Sequence, residues 1–92
     1  MDRALDTLLS QKDLWARTGP RDRIRLLDAV LAAYVPLCDA WVEACLRAKC
    51  ALDDAYTAGW EWASGPMPIL RYLRGLRRTL AALEQTGRPP LP

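Results

Sequence analysis

The feature that most constrains this chain is a long helical stripe of apolar residues with a proline inside it. Apolar side chains recur at alternating intervals of three and four, the spacing that places residues on one face of an α-helix. The stripe comprises Ile24, Leu27, Leu31, Tyr34, Cys38, Trp41 and Cys45. Pro36 lacks the backbone N–H that a helix interior uses and disfavours helical angles at Val35, so we predict a kink or break there.

Chain length gives a second argument for that break. An unbroken helix from Pro20 to Cys50 would be about 46 Å long, whereas a compact chain of 92 residues has a diameter of roughly 32 Å. A helix that ran straight through Pro36 would project from the rest of the chain, with Trp41 and Leu46 exposed. Such a chain would not be a self-contained globule.

Turn and capping residues mark out the first two helices. A first helix is predicted from residue 2 to about residue 15, and the segment Thr18-Gly19-Pro20 ends it. The same segment starts the next helix, because proline suits a first turn and Thr18 or Gly19 can cap it.

Two more helices are predicted in the second half. Asp53 or Asp54 is expected to cap a short helix, and the segment 64–68 stops it. A final helix follows, with Gly87 just beyond its end and Pro89 preventing its continuation. Its apolar stripe comprises Ile69, Leu73, Leu76, Leu80 and Leu83.

These signals predict an all-α fold: a small antiparallel helical bundle of three to five helices. Residues 1–86 are expected to form one helical domain. Residues 87–92, Gly-Arg-Pro-Pro-Leu-Pro, are expected to form an extended Pro-rich tail or linker.

The composition excludes several kinds of active site. The chain has no histidine, so Ser-His-Asp, Cys-His and His-containing zinc sites cannot form within it. Cys38 and Cys45 lie about 10 Å apart on one predicted helix, which is too far for a disulfide. We therefore expect three reduced, structural cysteines, with Cys50 the most exposed of them.

The sequence also bears on location. Acidic residues near Met1 stand where a secretory signal needs basic ones, so a cytoplasmic protein is expected. The longest uncharged stretch inside the predicted helices, Ala29–Cys38, has ten residues. A membrane-spanning helix needs about 20, so no membrane partner is expected.

Charge is concentrated in the last predicted helix. Arg71, Arg74 and Arg78 share one side of it, with Arg77 at the edge, and together they form a basic face. A solvated helix surface is the simplest interpretation of this face. If it binds anything, an acidic protein surface is favoured over DNA, since few base-reading side chains accompany the arginines and nucleic acid is unlikely as a partner.

The tryptophans are candidate interface residues. Four are present, more than a small helical unit usually covers by itself, so we expect Trp41, Trp60 and Trp62 to meet a partner. Glu61 lies between two of them and is interpreted as a surface glutamate flanked by half-buried rings. The partner would be a second copy of the chain or the remainder of a larger enzyme.

Several short stretches carry a family resemblance. They are Asp22–Leu27, Trp41–Cys45, Ala48-Lys49, Glu61-Trp62, Gly65-Pro66, Leu70-Arg71, Leu73-Arg74 and Gly87–Pro89. Their order resembles the N-terminal helical segment of the aldehyde dehydrogenase family, especially its divergent bacterial members. The resemblance implies that the nucleophilic cysteine, the glutamate base, the oxyanion asparagine and the cofactor-binding lysine of the family would all lie beyond Pro92.

Two functions therefore follow as expectations. One is a non-catalytic N-terminal helical region of an aldehyde-dehydrogenase-like, NAD(P)-dependent oxidoreductase, packed against the rest of that enzyme. The alternative is a stand-alone helical module that docks a partner through the arginine face or exposed tryptophans. Under either hypothesis we expect no catalytic, cofactor-binding or metal-binding residue in this chain.

Overall fold

The computed structural model describes residues 2–91, and this part of the chain is helical with no strand. Its helices are α1 (Asp2–Arg17), α2 (Pro20–Tyr34), α3 (Cys38–Ala48), α4 (Ala55–Ser64) and α5 (Pro66–Thr86), with a 3-10 turn, Val35–Leu37, between α2 and α3. The all-α prediction is confirmed.

Pro36 interrupts the α-helical hydrogen bonding at the predicted place without reversing the chain. The Val35 N–H still donates to the Leu31 carbonyl, and the Cys38 N–H donates to the Val35 carbonyl in a 3-10 pattern. The backbone angles of Val35 and Cys38 stay in the right-handed helical region. Helices α2 and α3 therefore form one long helical stretch, residues 20–48, which we call arm 1.

Helices α4 and α5 run back along arm 1 as a second arm, residues 55–86, which we call arm 2. Helix α5 packs on α2, and α4 packs on α3. Facing positions are Arg21 with Glu84, Asp28 with Arg77, and Trp41 with Gly65. Residue numbers rise along arm 1 as those of the facing residues fall, so the two arms form an antiparallel hairpin. The same pairing register continues past Pro36.

The molecule is much more extended than a compact chain of its length. Its radius of gyration is 17.6 Å and its longest dimension 48 Å, against a radius near 12 Å for a compact domain of this size. The buried apolar residues in the part that the structure describes are Cys38, Val42, Leu46 and Pro66. For a helix that continues past Pro36, the expectation that Trp41 is exposed is confirmed, whereas the expectation that Leu46 is exposed was wrong, because Leu46 is buried.

Helix α1 projects from the hairpin, and within residues 2–91 it does not pack along another helix. All of its residues are exposed. Arg23 of α2 holds its end: the guanidinium donates to the carbonyls of Trp15 (2.7 Å) and Thr18 (2.8 Å) and lies 4.3 Å above the Trp15 ring. The direction in which α1 leaves α2 is therefore set by three contacts of one side chain.

The caps agree with the sequence in most places. Gly19 precedes α2 in an extended conformation, whereas the Thr18 hydroxyl donates to the Leu14 carbonyl. Asp54 accepts from two backbone N–H groups in the first turn of α4. Gly87 ends α5 in the left-handed conformation, with φ of 70°. These ends are local properties of the chain, which explains why capping residues predict them.

Arm 1 is apolar on its outer side as well as on its packed side. Its outward stripe contains Leu26, Val30 and Leu37, each about half exposed. By length and composition alone, the stretch Pro20–Ala48 is apolar enough to cross a membrane, and only 17% of its most apolar window is buried. The expectation of no membrane partner therefore stays a prediction.

The end of α3 carries a cysteine where glycine is usual. Cys50 has φ of 54°, its N–H donates to the Arg47 carbonyl (3.1 Å), and the Ala51 N–H donates to the Leu46 carbonyl (2.9 Å). These two bonds define a Schellman motif, in which the left-handed position normally holds glycine because a Cβ is strained there.

We expect Cys50→Gly to stabilise the protein by about 1 kcal/mol, because it removes the left-handed strain of a residue with a Cβ. Thermal unfolding at fixed protein concentration should show a midpoint raised by roughly 5 °C. Ala48→Gly, at the last residue of α3, is the matched control and should lower stability. Equal effects of the two glycines would contradict the strain at Cys50.

Candidate functional site

The predicted interface tryptophans lie along the α3–α4 half of the hairpin, and they differ in exposure. Trp60 is 59% exposed and stacks edge-on against Tyr56 at 6.3 Å between ring centroids. Trp41 is 44% exposed and meets Tyr34 edge-on at 5.9 Å, while Trp62 is half-buried. Of these three tryptophans, Trp60 is therefore the most accessible to a partner.

Trp41 is positioned by a close approach to the backbone at Gly65, the single residue between α4 and α5. A Cβ at Gly65 would lie 3.2 Å from Trp41 Nε1 and 2.9 Å from the Glu61 carbonyl oxygen. Glycine is required here because no side chain fits between the indole and the backbone. The contact keeps the α4–α5 junction packed against arm 1.

The predicted basic face lines a groove on α5. The groove has a volume of about 780 Å³ and runs along the outer side of α5 from the end of α4. Its lining comprises Ala63, Met67, Pro68, Leu70, Arg71, Arg74, Gly75 and Arg78. Apolar atoms and three arginines thus share one concave surface, an arrangement that suits an amphipathic acidic segment. We call it the arginine groove.

The three arginines of the groove are exposed, and within residues 2–91 none of them forms an ion pair. Arg77 differs from them. It points to arm 1, where its guanidinium donates to both carboxylate oxygens of Asp28 at 2.5 and 3.1 Å. Those hydrogen bonds lower the pKa of Asp28 and raise that of Arg77. Arg77 therefore joins the two arms and is not part of the groove.

Glu61 is buried, so its interpretation as a surface glutamate was wrong. It forms an ion pair with Lys49, which lies just beyond the end of α3. The hydrogen bond from Lys49 lowers the pKa of Glu61 and raises the pKa of Lys49, and the nearby Cys45 thiol lowers that of Glu61 further. Cys45 consequently has a polar neighbour that its apolar stripe did not predict. The pair closes the α3–α4 turn.

The remaining candidate chemistry is limited. The three cysteines are free: Cys38 is buried, Cys45 half-buried and Cys50 exposed. No group of three or more metal-ligating side chains occurs in the described part of the chain. The Tyr34 hydroxyl is buried without a hydrogen-bond partner, and its burial raises its pKa.

Comparison with protein-family models, curated proteins and solved structures gives no match for this chain. The resemblance to the helical segment of aldehyde dehydrogenases accordingly stays a prediction made from short stretches of sequence.

We expect Gly65→Ala to destabilise the hairpin by roughly 1–3 kcal/mol, because the added methyl group overpacks the contact with Trp41. Gly59→Ala is the matched control. It lies within α4 with open space around it, so it should stabilise by up to about 1 kcal/mol. Urea unfolding of both variants measures the difference, and a stabilising effect of Gly65→Ala would contradict the close approach.

We expect the Lys49–Glu61 pair to make stability fall in acid. The folded-state pKa of Glu61 lies below its unfolded value, so the contribution is complete above the unfolded pKa and is lost as pH falls through the folded one. Urea unfolding midpoints measured from pH 7 down to pH 2 would show this loss of stability. Glu61→Gln should reduce this fall in stability at low pH. Glu43→Gln, at an exposed pair with Arg47, should leave the fall unchanged.

Proposed function

We propose that this chain is a non-enzymatic helical interaction module whose folding is completed by a protein partner. The observation that carries the proposal is how little apolar surface the chain buries on its own. The leucines and Trp15 of α1 are half exposed or more, as are Leu26 and Leu37 on arm 1 and Trp60 on arm 2. Solvent-exposed apolar surface on this scale is typical of a protein that is normally covered by another.

The total surface area supports the same conclusion. The accessible surface is 7508 Å², whereas a compact monomer of 10.3 kDa exposes about 5,400 Å². The excess, on the order of 2,000 Å², exceeds the 800 Å² or so that each partner buries in a standard protein interface. A partner that covered this excess would supply the missing hydrophobic core.

Association would also complete the predicted antiparallel bundle, because α1 lacks a neighbour and the outer stripe of arm 1 lacks cover. We assign residues 87–92 the role of a linker that leads out of the helices. The simplest partner is a second copy of the chain in the cytoplasm, bound without cofactor or metal.

The second candidate is the helical region of an aldehyde-dehydrogenase-like enzyme. The same exposed surface supports it, since such a segment would pack against the body of the enzyme. The reading frame beyond Pro92 separates the two: a strand followed by a glycine-rich turn favours the enzyme, and a stop codon favours the module.

Sedimentation equilibrium tests the proposed module. We expect self-association, and we expect the thermal midpoint to rise with protein concentration, because binding stabilises the folded state by mass action. Leu8→Asp, at an exposed apolar position of α1, should weaken association roughly tenfold or more. Ser10→Asp, on the opposite side of α1, is the matched control.

A cooperative monomer whose thermal midpoint does not depend on concentration would contradict self-association through exposed apolar surface.

A further inference from the structure

We infer that the arginine groove of one molecule binds helix α1 of a second copy, and that two copies exchange their α1 helices to form a closed dimer. This inference rests on the proposed function and names both the partner and the surface. Its basis is that the aspartate line of α1 and the groove arginines match in charge and spacing, that both border exposed apolar side chains, and that within residues 2–91 neither set forms an ion pair.

Helix α1 carries acidic residues along one line. Asp2, Asp6 and Asp13 lie within about 40° of one another around the helix axis, at 100° per residue. None of them forms an ion pair within residues 2–91. The acidic line borders an apolar face that contains Leu5 and Leu9, which are 52% and 59% exposed. Helix α1 as a whole is neutral, because Arg3, Lys12 and Arg17 offset these three aspartates. The acidic line is therefore a local feature beside an exposed apolar face.

The groove presents the complementary pattern. Its arginines border Met67, which is 60% exposed, and Leu70, which is half-buried. Arg71 and Arg78 are seven residues apart on one helix face, as are Asp6 and Asp13. Both pairs therefore span about 10.5 Å at 1.5 Å per residue. Two helices lying side by side can form both ion pairs at once while their leucines meet the apolar lining.

The occupant comes from another molecule because α1 is held away from its own hairpin. Arg23 fixes the direction of α1 through the carbonyls of Trp15 and Thr18 and through the Trp15 ring. The turn of residues 18–19 is also short, and it leads directly into Pro20 of α2. With α1 projecting, its apolar face and acidic line are presented to a second copy.

Reciprocal exchange gives a closed two-fold assembly, since each copy contributes one α1 and one groove. The basic faces of the two copies do not face each other in this arrangement. The repulsion expected between two arginine faces is avoided, and each arginine groove receives the acidic side of the partner's α1.

A charge-exchange experiment tests this dimer. One variant carries Arg71→Glu and Arg78→Glu, and the other carries Asp6→Arg and Asp13→Arg. In each variant alone, α1 and the groove have like charges, so we expect dimerisation to weaken roughly a hundredfold. Mixed in equal amounts, each variant offers the charge that the other requires, and a heterodimer should form. Sedimentation of the separate and mixed proteins measures both effects.

The mixture separates exchange between copies from folding of α1 onto its own groove, because only contact between different molecules can be rescued by mixing. Arg25→Glu with Arg47→Glu is the matched control. It has the same change in net charge at exposed arginines outside the groove and should leave the dimer intact. Circular dichroism of each variant verifies that its helices are retained.

The outcomes distinguish this inference from the proposed function. A monomeric wild-type protein would overturn this dimer, while the module could still bind a different protein. A wild-type dimer that persists in both variants, or that is weakened in both without rescue on mixing, would overturn the exchange of α1 and leave self-association through other apolar surface in place.

Discussion

Two helices that lie side by side can bury only one stripe of each, and this geometric limit governs the structure. The arms 20–48 and 55–86 meet along a single seam, in which Val42 and Leu46 are covered and the outer residues of both arms are not. A third layer would normally cover those outer faces. In this chain the remaining helix, α1, projects away, so the apolar surface that usually forms a core faces solvent.

The polar contacts along the seam define its register more than they contribute to its stability. Asp28 with Arg77 and Lys49 with Glu61 lie at different heights of the hairpin. Sliding one arm past the other by a turn would separate both pairs and leave the buried Glu61 carboxylate without its cation, which is costly. The close contact of Trp41 with Gly65 adds a steric reference point between them. Register is thus specified even though little apolar surface is buried.

Much of the candidate site was accessible from sequence, because it depends on helix faces. Arg71, Arg74 and Arg78 share a face through helical periodicity alone, and the structure places all three on one groove. Arg77 was grouped with them by its position on the helix, but its partner Asp28 lies 49 residues away. Glu61 was misjudged for the same reason. Its burial depends on Lys49 and the α3–α4 turn, and no periodic signal within α4 records that contact.

The sequence by itself determined where helices begin, end and break, because those choices depend on neighbouring residues. Pro36 removes one N–H, Asp54 accepts hydrogen bonds from the turn it precedes, and Gly87 adopts a left-handed angle. Only the tertiary structure decided whether the chain folds back at Pro36. A 3-10 turn at Val35–Leu37 lets the helical stretch continue. That choice depends on contacts between residues far apart in sequence, such as Arg21 with Glu84 and Trp41 with Gly65, which local rules do not contain.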